Sequence, residues 1–224
     1  MAQMEPGLEK PVDKKRSRQQ RRFSRTRGKI LEAARSVFAE KGLAAATIDE
    51  IAERADVGRG SVYYHFENKD ELISLIIGDI LSGLSQRVEK NCVGHEDLGA
   101  VLDAIIGAHL NFFSSRWEDF VLFHQGRADM TLETSYEGIE KSYLKYLGSL
   151  ERLIDEAMRE EISDLKLSRL AFAIAGFISG YYSFVSVAAD VKDVDKSFVA
   201  LRSAFVASLA RFVKETVPEE KVRW

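Results

Sequence analysis

Residues 55–69 read ADVGRGSVYYHFENK and gather side chains whose types and spacing suit a polyanionic partner. Arg59 carries a planar fork of donors able to engage a guanine edge through two hydrogen bonds. Ser61, Tyr63, Tyr64 and His65 can donate to phosphate oxygens or pack against sugars and thymine methyl groups, and Lys69 adds a positive charge close by. Gly58 and Gly60 allow a backbone to come near a ligand, and the amides that open a helix here would face a phosphate. Val57, Val62 and Phe66 are left to pack a small core. Aromatic core packing alone would not call for Arg59, Ser61 and Lys69 beside two glycines.

These groups need elements to hold them. Ile30, Ala34, Val37 and Phe38 recur at i, i+4, i+7 and i+8, which predicts a helix over 24–41 that Gly42 stops. Thr47-Ile48-Asp49-Glu50 is a capping box and opens a second helix over 47–55. The turn Asp56-Val57-Gly58 leads into a third segment, 59–66. Two short helices joined by a tight glycine-containing turn, behind a longer one, form the pattern of a helix-turn-helix. Asn68 then caps a fourth helix, 69–90, with Leu72, Leu75, Ile76, Ile80, Leu84 and Val88 as its apolar stripe.

Downstream, further helices are expected near 96–114, 116–126, 130–160, 165–189 and 194–215, with no strand pattern. The expected fold class is therefore all-α, an N-terminal three-helix bundle with a helix-turn-helix followed by a C-terminal helical domain. The pattern divides the chain into a flexible basic arm (1–22), the helix-turn-helix domain (23–68), a helical body (69–217) and a tail (218–224). Charge follows this division: residues 1–70 hold 15 Lys and Arg against 11 Asp and Glu, whereas 71–224 hold 17 against 24. Residues 14–29 contain nine basic and no acidic residues. Such a run reads either as a solvated tail or as an arm that contacts DNA phosphates or the minor groove beside a binding site.

The first helix, ILEAARSVFAEKG, and the block TIDEIAERADVGRGSVYYHFENKDEL, with its Tyr-Tyr-His-Phe-x-Asn-Lys signature, resemble the TetR family of bacterial transcriptional regulators over about residues 24–75. The resemblance implies DNA contacts from Thr47, Arg59, Ser61, Tyr63, Tyr64, His65 and Lys69, and Gly60 joins them by its place between Arg59 and Ser61. It implies a homodimer, a ligand-binding helical domain, and repression as the output. The basic arm is an addition to the shorter N-termini common in that family.

The helical body is rich in rings, which suits a small, largely apolar or aromatic effector held by a few polar groups. His109, Phe113, Trp117, Phe120, Phe123, His124, Tyr143, Phe177 and Tyr181 are the candidate ligand-binding residues. Dimerisation is expected through the last two long helices. There Ala173, Gly176, Ser179, Gly180 and Ser183 would let backbones approach, and Phe198, Leu201, Phe205, Leu209 and Phe212 form an apolar stripe. Leu170 to Ala189 carries no charge, but its serines and tyrosines favour a helix buried between other helices or in a subunit interface over a membrane span. No catalytic constellation, metal set or cofactor motif is present, and His95-Glu96-Asp97 reads as a helix start. With one cysteine, Cys92, and no apolar stretch behind the N-terminal basic residues, a cytoplasmic location is expected, associated with the nucleoid when DNA is bound. The expected function is a ligand-responsive DNA-binding regulator, a repressor released from a pseudo-palindromic operator by its effector. The alternative is a helical small-molecule binding protein with only non-specific affinity for DNA.

Overall fold

The computed structural model describes residues 11–129, 138–158, 164–187 and 194–214. Among them every regular element is helical: α1 (Pro11–Lys41), α2 (Ile48–Arg54), α3 (Arg59–His65), α4 (Lys69–Cys92), α5 (Leu98–Phe113), α6 (Trp117–Asp129), α7 (Ile139–Glu156), α8 (Asp164–Val187) and α9 (Val194–Lys214). The chain divides into two compact units, Met1–Ile76 and Ile77–Trp224. That division falls eight residues later than the sequence pattern places it, because the first turns of α4 fold with the N-terminal unit.

In the N-terminal unit, Ile30, Ala34, Val37 and Phe38 of α1 are buried with Ile51 and Ala52 of α2, Val62 of α3, Phe66, and Leu72 and Ile73 of α4. The spacing expected for α1 is thus its core face. The helix, however, starts at Pro11 rather than near residue 24. Pro is well placed in a first helical turn, and the Lys, Arg and Gln residues that follow are strong helix formers, so the stretch 11–22 expected as a flexible arm continues the helix. Residues 1–10 and the tail 218–224 lie outside the described residues.

Ion pairs lock α2 onto α1. Arg54 grips the Glu40 carboxylate with both guanidinium nitrogens at 2.5 and 2.7 Å, and Lys41 pairs with Glu50. The Lys41 ammonium and the Thr47 amide and hydroxyl hold the Glu50 carboxyl down at about 2, so it stays charged through the physiological range.

In the C-terminal unit, Leu102, Ile105, Ile106, Phe113, Leu122, Phe123, Tyr143, Tyr146, Leu150, Ile154, Leu170 and Ile174 form the core. Asp97 caps α5 by accepting from the Ala100 amide at 3.0 Å, which gives the His95-Glu96-Asp97 segment its structural use. Gly138, at φ 88°, turns the chain into α7, so that helix begins at 139; of the helix expected over 130–160, residues 130–137 and 159–160 lie outside the described residues. Gly107 leaves room on α5 for Arg202 of α9, whose Nη2 lies 2.9 Å from where a Cβ would stand. From there the guanidinium reaches both Asp103 carboxylate oxygens, at 2.7 and 2.6 Å, and ties α9 to α5. Cys92 is buried, and burial pushes its thiol up to about 11, where it is protonated and unreactive.

His109 is sealed in this core. Its Nδ1 lies 2.7 Å from the Ile105 carbonyl, which forces Nδ1 to carry the proton, so the bare Nε2 accepts from the Tyr146 hydroxyl. Burial drives its titration down from 6.5 to about 4. The unfolded chain therefore takes up this proton first, and the stability held above pH 6.5 is withdrawn as pH falls toward 4, by up to about 3 kcal/mol. Denaturant melts of wild type and His109→Gln between pH 7 and 4.5 should show a shallower pH dependence in the variant; identical slopes would mean that His109 is not held neutral.

Candidate nucleic-acid interface

The site is built on α2 and α3. Thr47 caps α2, accepting from the Glu50 amide at 3.3 Å while Glu50 reaches back to the Thr47 amide at 3.0 Å. The predicted capping box is therefore present, with the Thr47 side chain exposed at the surface. In the turn that follows, Asp56 takes the left-handed conformation, at φ 53°, while Gly58 is extended and precedes α3. Asp is among the few residues other than glycine that enter this region at small cost.

α3 is seven residues long, and its two sides differ completely. Val62 and the adjoining Phe66 face the core, whereas Arg59, Gly60, Tyr63 and Tyr64 are exposed, Tyr64 to 72%. A Cβ added at Gly60 or Gly58 would meet nothing within 4 Å, so the surface in front of both glycines is open. Arg59 lies with its guanidinium carbon 5.6 Å from the centre of the Tyr63 ring, donates toward the Tyr63 hydroxyl at 3.5 Å, and pairs with Asp49 at 3.3 Å. These contacts hold the guanidinium charged and arrayed along the outer face of α3. The Asp49 pair is solvent-exposed and therefore weak, and a nucleic-acid acceptor can replace it.

Two of the expected contact residues, Lys69 and His65, have other partners, and a third, Ser61, is partly covered. Lys69 donates to the Ala44 and Ala46 carbonyls at 2.8 and 3.1 Å, closing the α1–α2 turn onto the start of α4. Ser61 is half-buried. His65 packs at 4.3 Å between ring centres against Phe23 of α1, and burial and the nearby Arg27 charge lower its titration below the ordinary value, so it is neutral at pH 7. Phe23, which also meets Tyr64 edge-on at 5.9 Å, is not among the residues expected from sequence because it lies outside the periodic part of α1. Arg27, over the Phe66 ring at 5.0 Å, stands out in the sequence only as one charge in a basic run. Asn68 caps α4 as expected, accepting from the Glu71 amide at 2.8 Å.

Residues 30–76 match the family model described as bacterial regulatory proteins, tetR family. The matched segment is of the TetR type. The chain is similar to the uncharacterized HTH-type transcriptional regulator YvdT of Bacillus subtilis, 32% identical over 130 residues, or 58% of this chain and 66% of that one. It is also similar to the HTH-type transcriptional repressor KstR2 of Mycobacterium tuberculosis, 41% identical over 61 residues, or 27% of this chain and 30% of that protein. The alignments thus span less than two thirds of these curated relatives. Among solved structures, FadR from Bacillus subtilis in complex with stearoyl-CoA shares the fold, with a TM-score of 0.61 at 18% identity over 84% of this chain and 98% of that one.

The helical body places the candidate ligand residues unevenly. His109, Phe113, Phe120, Phe123 and Tyr143 are buried in the core, with Phe113 5.6 and 5.4 Å from Phe120 and Phe123 and the Tyr143 hydroxyl on the Phe123 carbonyl. His109 has both ring nitrogens engaged and so is a core histidine. Trp117 is 47% exposed and stands 5.2 Å from Phe120, while His124 stacks on the same ring at 5.8 Å. Phe177 stacks on Phe205 of α9 at 4.1 Å, and Tyr181 is half-buried.

Replacing Lys69 by Met keeps the aliphatic stem and removes both bonds to the turn. Lys69→Met should cost about 1–2 kcal/mol in stability and speed amide exchange across residues 42–47. Unchanged exchange in that turn would show that Lys69 does not hold it.

Proposed function

We propose that the protein is a transcriptional regulator that binds operator DNA as a homodimer and is released by a small effector bound in its C-terminal unit. The observation that carries this reading is the outer face of α3, where Arg59 is already splayed along Tyr63 beside Tyr64 and the open backbone at Gly60. Arg59 would read a base in the major groove, with Tyr63, Tyr64 and the Thr47 hydroxyl on phosphates. Ser61, His65 and Lys69 would then serve chiefly to fix that face, with any DNA contact secondary. The names of YvdT and KstR2, a transcriptional regulator and a transcriptional repressor, support regulation and favour repression.

A second face supports the dimer. On α8, Phe172, Ala173, Gly176 and Gly180 are exposed, and on α9 Leu201, Ala204, Ala207 and Ser208 are exposed. The apolar helix expected between helices or in a subunit interface is thus open on one side of a single chain. Ser179, assigned to the same contact from sequence, is instead buried and accepts from Arg127 at 3.1 Å. Leu209 is also buried, Phe205 and Phe212 are half-buried, and the side chains of Ser183 and Phe198 lie outside the described residues. The open face has the small residues and apolar anchors of a helix-packed interface, and a two-fold dimer would read a two-fold operator.

The effector would be apolar, aromatic or acyl, given rings with few polar groups around Phe120, Phe123 and Tyr143; the stearoyl-CoA complex of FadR favours an acyl chain. α4 runs from one unit into the other. An effector that prefers one packing of the body would move α4 and change the separation of the two α3 helices, which is how ligand and DNA binding become linked.

Selection of bound fragments from random DNA should yield a pseudo-palindrome for wild type. Arg59→Ala should relax one position per half-site by about 1–3 kcal/mol. Enrichment of no sequence by the wild type would overturn the reading.

A Cβ at Gly180 meets nothing within 4 Å in the single chain. Gly180→Leu should therefore keep the helical signal and fold while converting a sedimenting dimer to monomer. An unaltered dimer would place the interface elsewhere.

A further inference from the structure

α1 extends well beyond the residues needed for its core face, and the extension has a charge pattern of its own. Arg18, Arg21, Arg22, Arg25 and Lys29 are all exposed. Their spacings of three, four and seven put them on one stripe of the helix, turned away from the stripe through Ile30, Ala34 and Val37 that enters the core. No acidic residue occurs between 14 and 29. A solvated helix face ordinarily mixes both signs, which gives favourable pairs along the helix and limits self-repulsion. Here the same-sign charges repel one another, a cost that an anionic partner would reverse.

Phe23 lies on the inner side of this extension. Its contacts with Tyr64 and His65 of α3, at 5.9 and 4.3 Å, fix the stripe in position relative to the exposed face of α3. Arg27, one turn on, lies over the Phe66 ring at 5.0 Å. The basic stripe is therefore a pinned part of the N-terminal unit.

We infer that the basic stripe of α1 is a second DNA-binding element, which engages duplex phosphates beside the site read by α3 and does so without regard to sequence. This rests on the operator-binding role proposed for α3. Charge selects the partner's backbone, and the anchoring on α3 selects the same duplex. A helical stripe held in place presents guanidinium groups at fixed intervals, which suits phosphates; it does not need the unwound chain that threads a minor groove. Phe23 acts here as a positioning residue.

The test is a titration of the full-length protein on its selected operator at several salt concentrations, wild type against the variant Arg18→Gln, Arg21→Gln, Arg22→Gln, Arg25→Gln. Gln has nearly the same helix preference as Arg, so the fold should persist, as checked by helical signal and melting. Removing one phosphate-bound cation lowers the slope of log K against log[salt] by about 0.9, so removing four lowers it by about 3.6 per protomer. The ratio of specific to non-specific affinity should change much less than either affinity. Trimming the duplex flanks should weaken the wild type and leave the variant unaffected. An unchanged slope with intact selectivity would overturn the inference and leave the role of α3 standing, whereas absence of selectivity in the wild type would sink the role of α3 itself. Stronger binding of wild type to single-stranded RNA of equal length than to the duplex would also overturn it.

Discussion

α3 has seven residues, too few to be helical alone in water, so its shape depends on the burial of Val62 and Phe66 against α1 and α2. What α3 offers to a partner follows from that constraint. Once Val62 and Phe66 point inward, Arg59, Tyr63 and Tyr64 must point outward, since a helix this short has only two sides to use. The surrounding devices serve the same end. The capping box fixes where α2 begins, the Arg54 and Lys41 pairs fix α2 on α1, the left-handed Asp56 sets the angle to α3, and Lys69 closes the turn before α2.

Much of this was legible because it is local. A cap needs only residues three apart, and a core face needs only a period, so Thr47, Asn68 and the stripe of α1 could be read from spacing. What depends on partners distant in sequence could not be read that way. Lys69 carries the same ammonium whether it meets a phosphate or a carbonyl 25 residues earlier, and only the fold shows that it meets the carbonyls of Ala44 and Ala46. His65 similarly looks like a donor until Phe23 is found against its ring. The extension of α1 was hidden for another reason: without apolar residues it shows no periodicity, although its composition favours a helix.

In the C-terminal unit, the abundance of rings proved less informative than their individual surroundings. A ring buried among rings is first of all core, and the Phe113, Phe120 and Phe123 cluster stabilises the unit whether or not a ligand enters. The polar groups divide more clearly. Both ring nitrogens of His109 are satisfied within the chain, so recruiting them to an effector would mean breaking a buried hydrogen bond with no water to replace it. His124 is exposed, and an effector could meet it without that cost.

The two open faces, the outer side of α3 with its neighbouring basic stripe and the side of α8 and α9, differ in kind. One is charged and aromatic, and the other is made of small and apolar residues. A face of small residues gains by excluding water against a similar face, so it favours a second copy of the same chain; a face of one sign gains by neutralisation, so it favours a polyanion. In the proposed dimer, the symmetric contact of the apolar face would set the spacing of half-sites that two copies of α3 could read. Specificity for an operator would thus be shared between α3, which reads bases, and α8 and α9, which set the interval at which they are read.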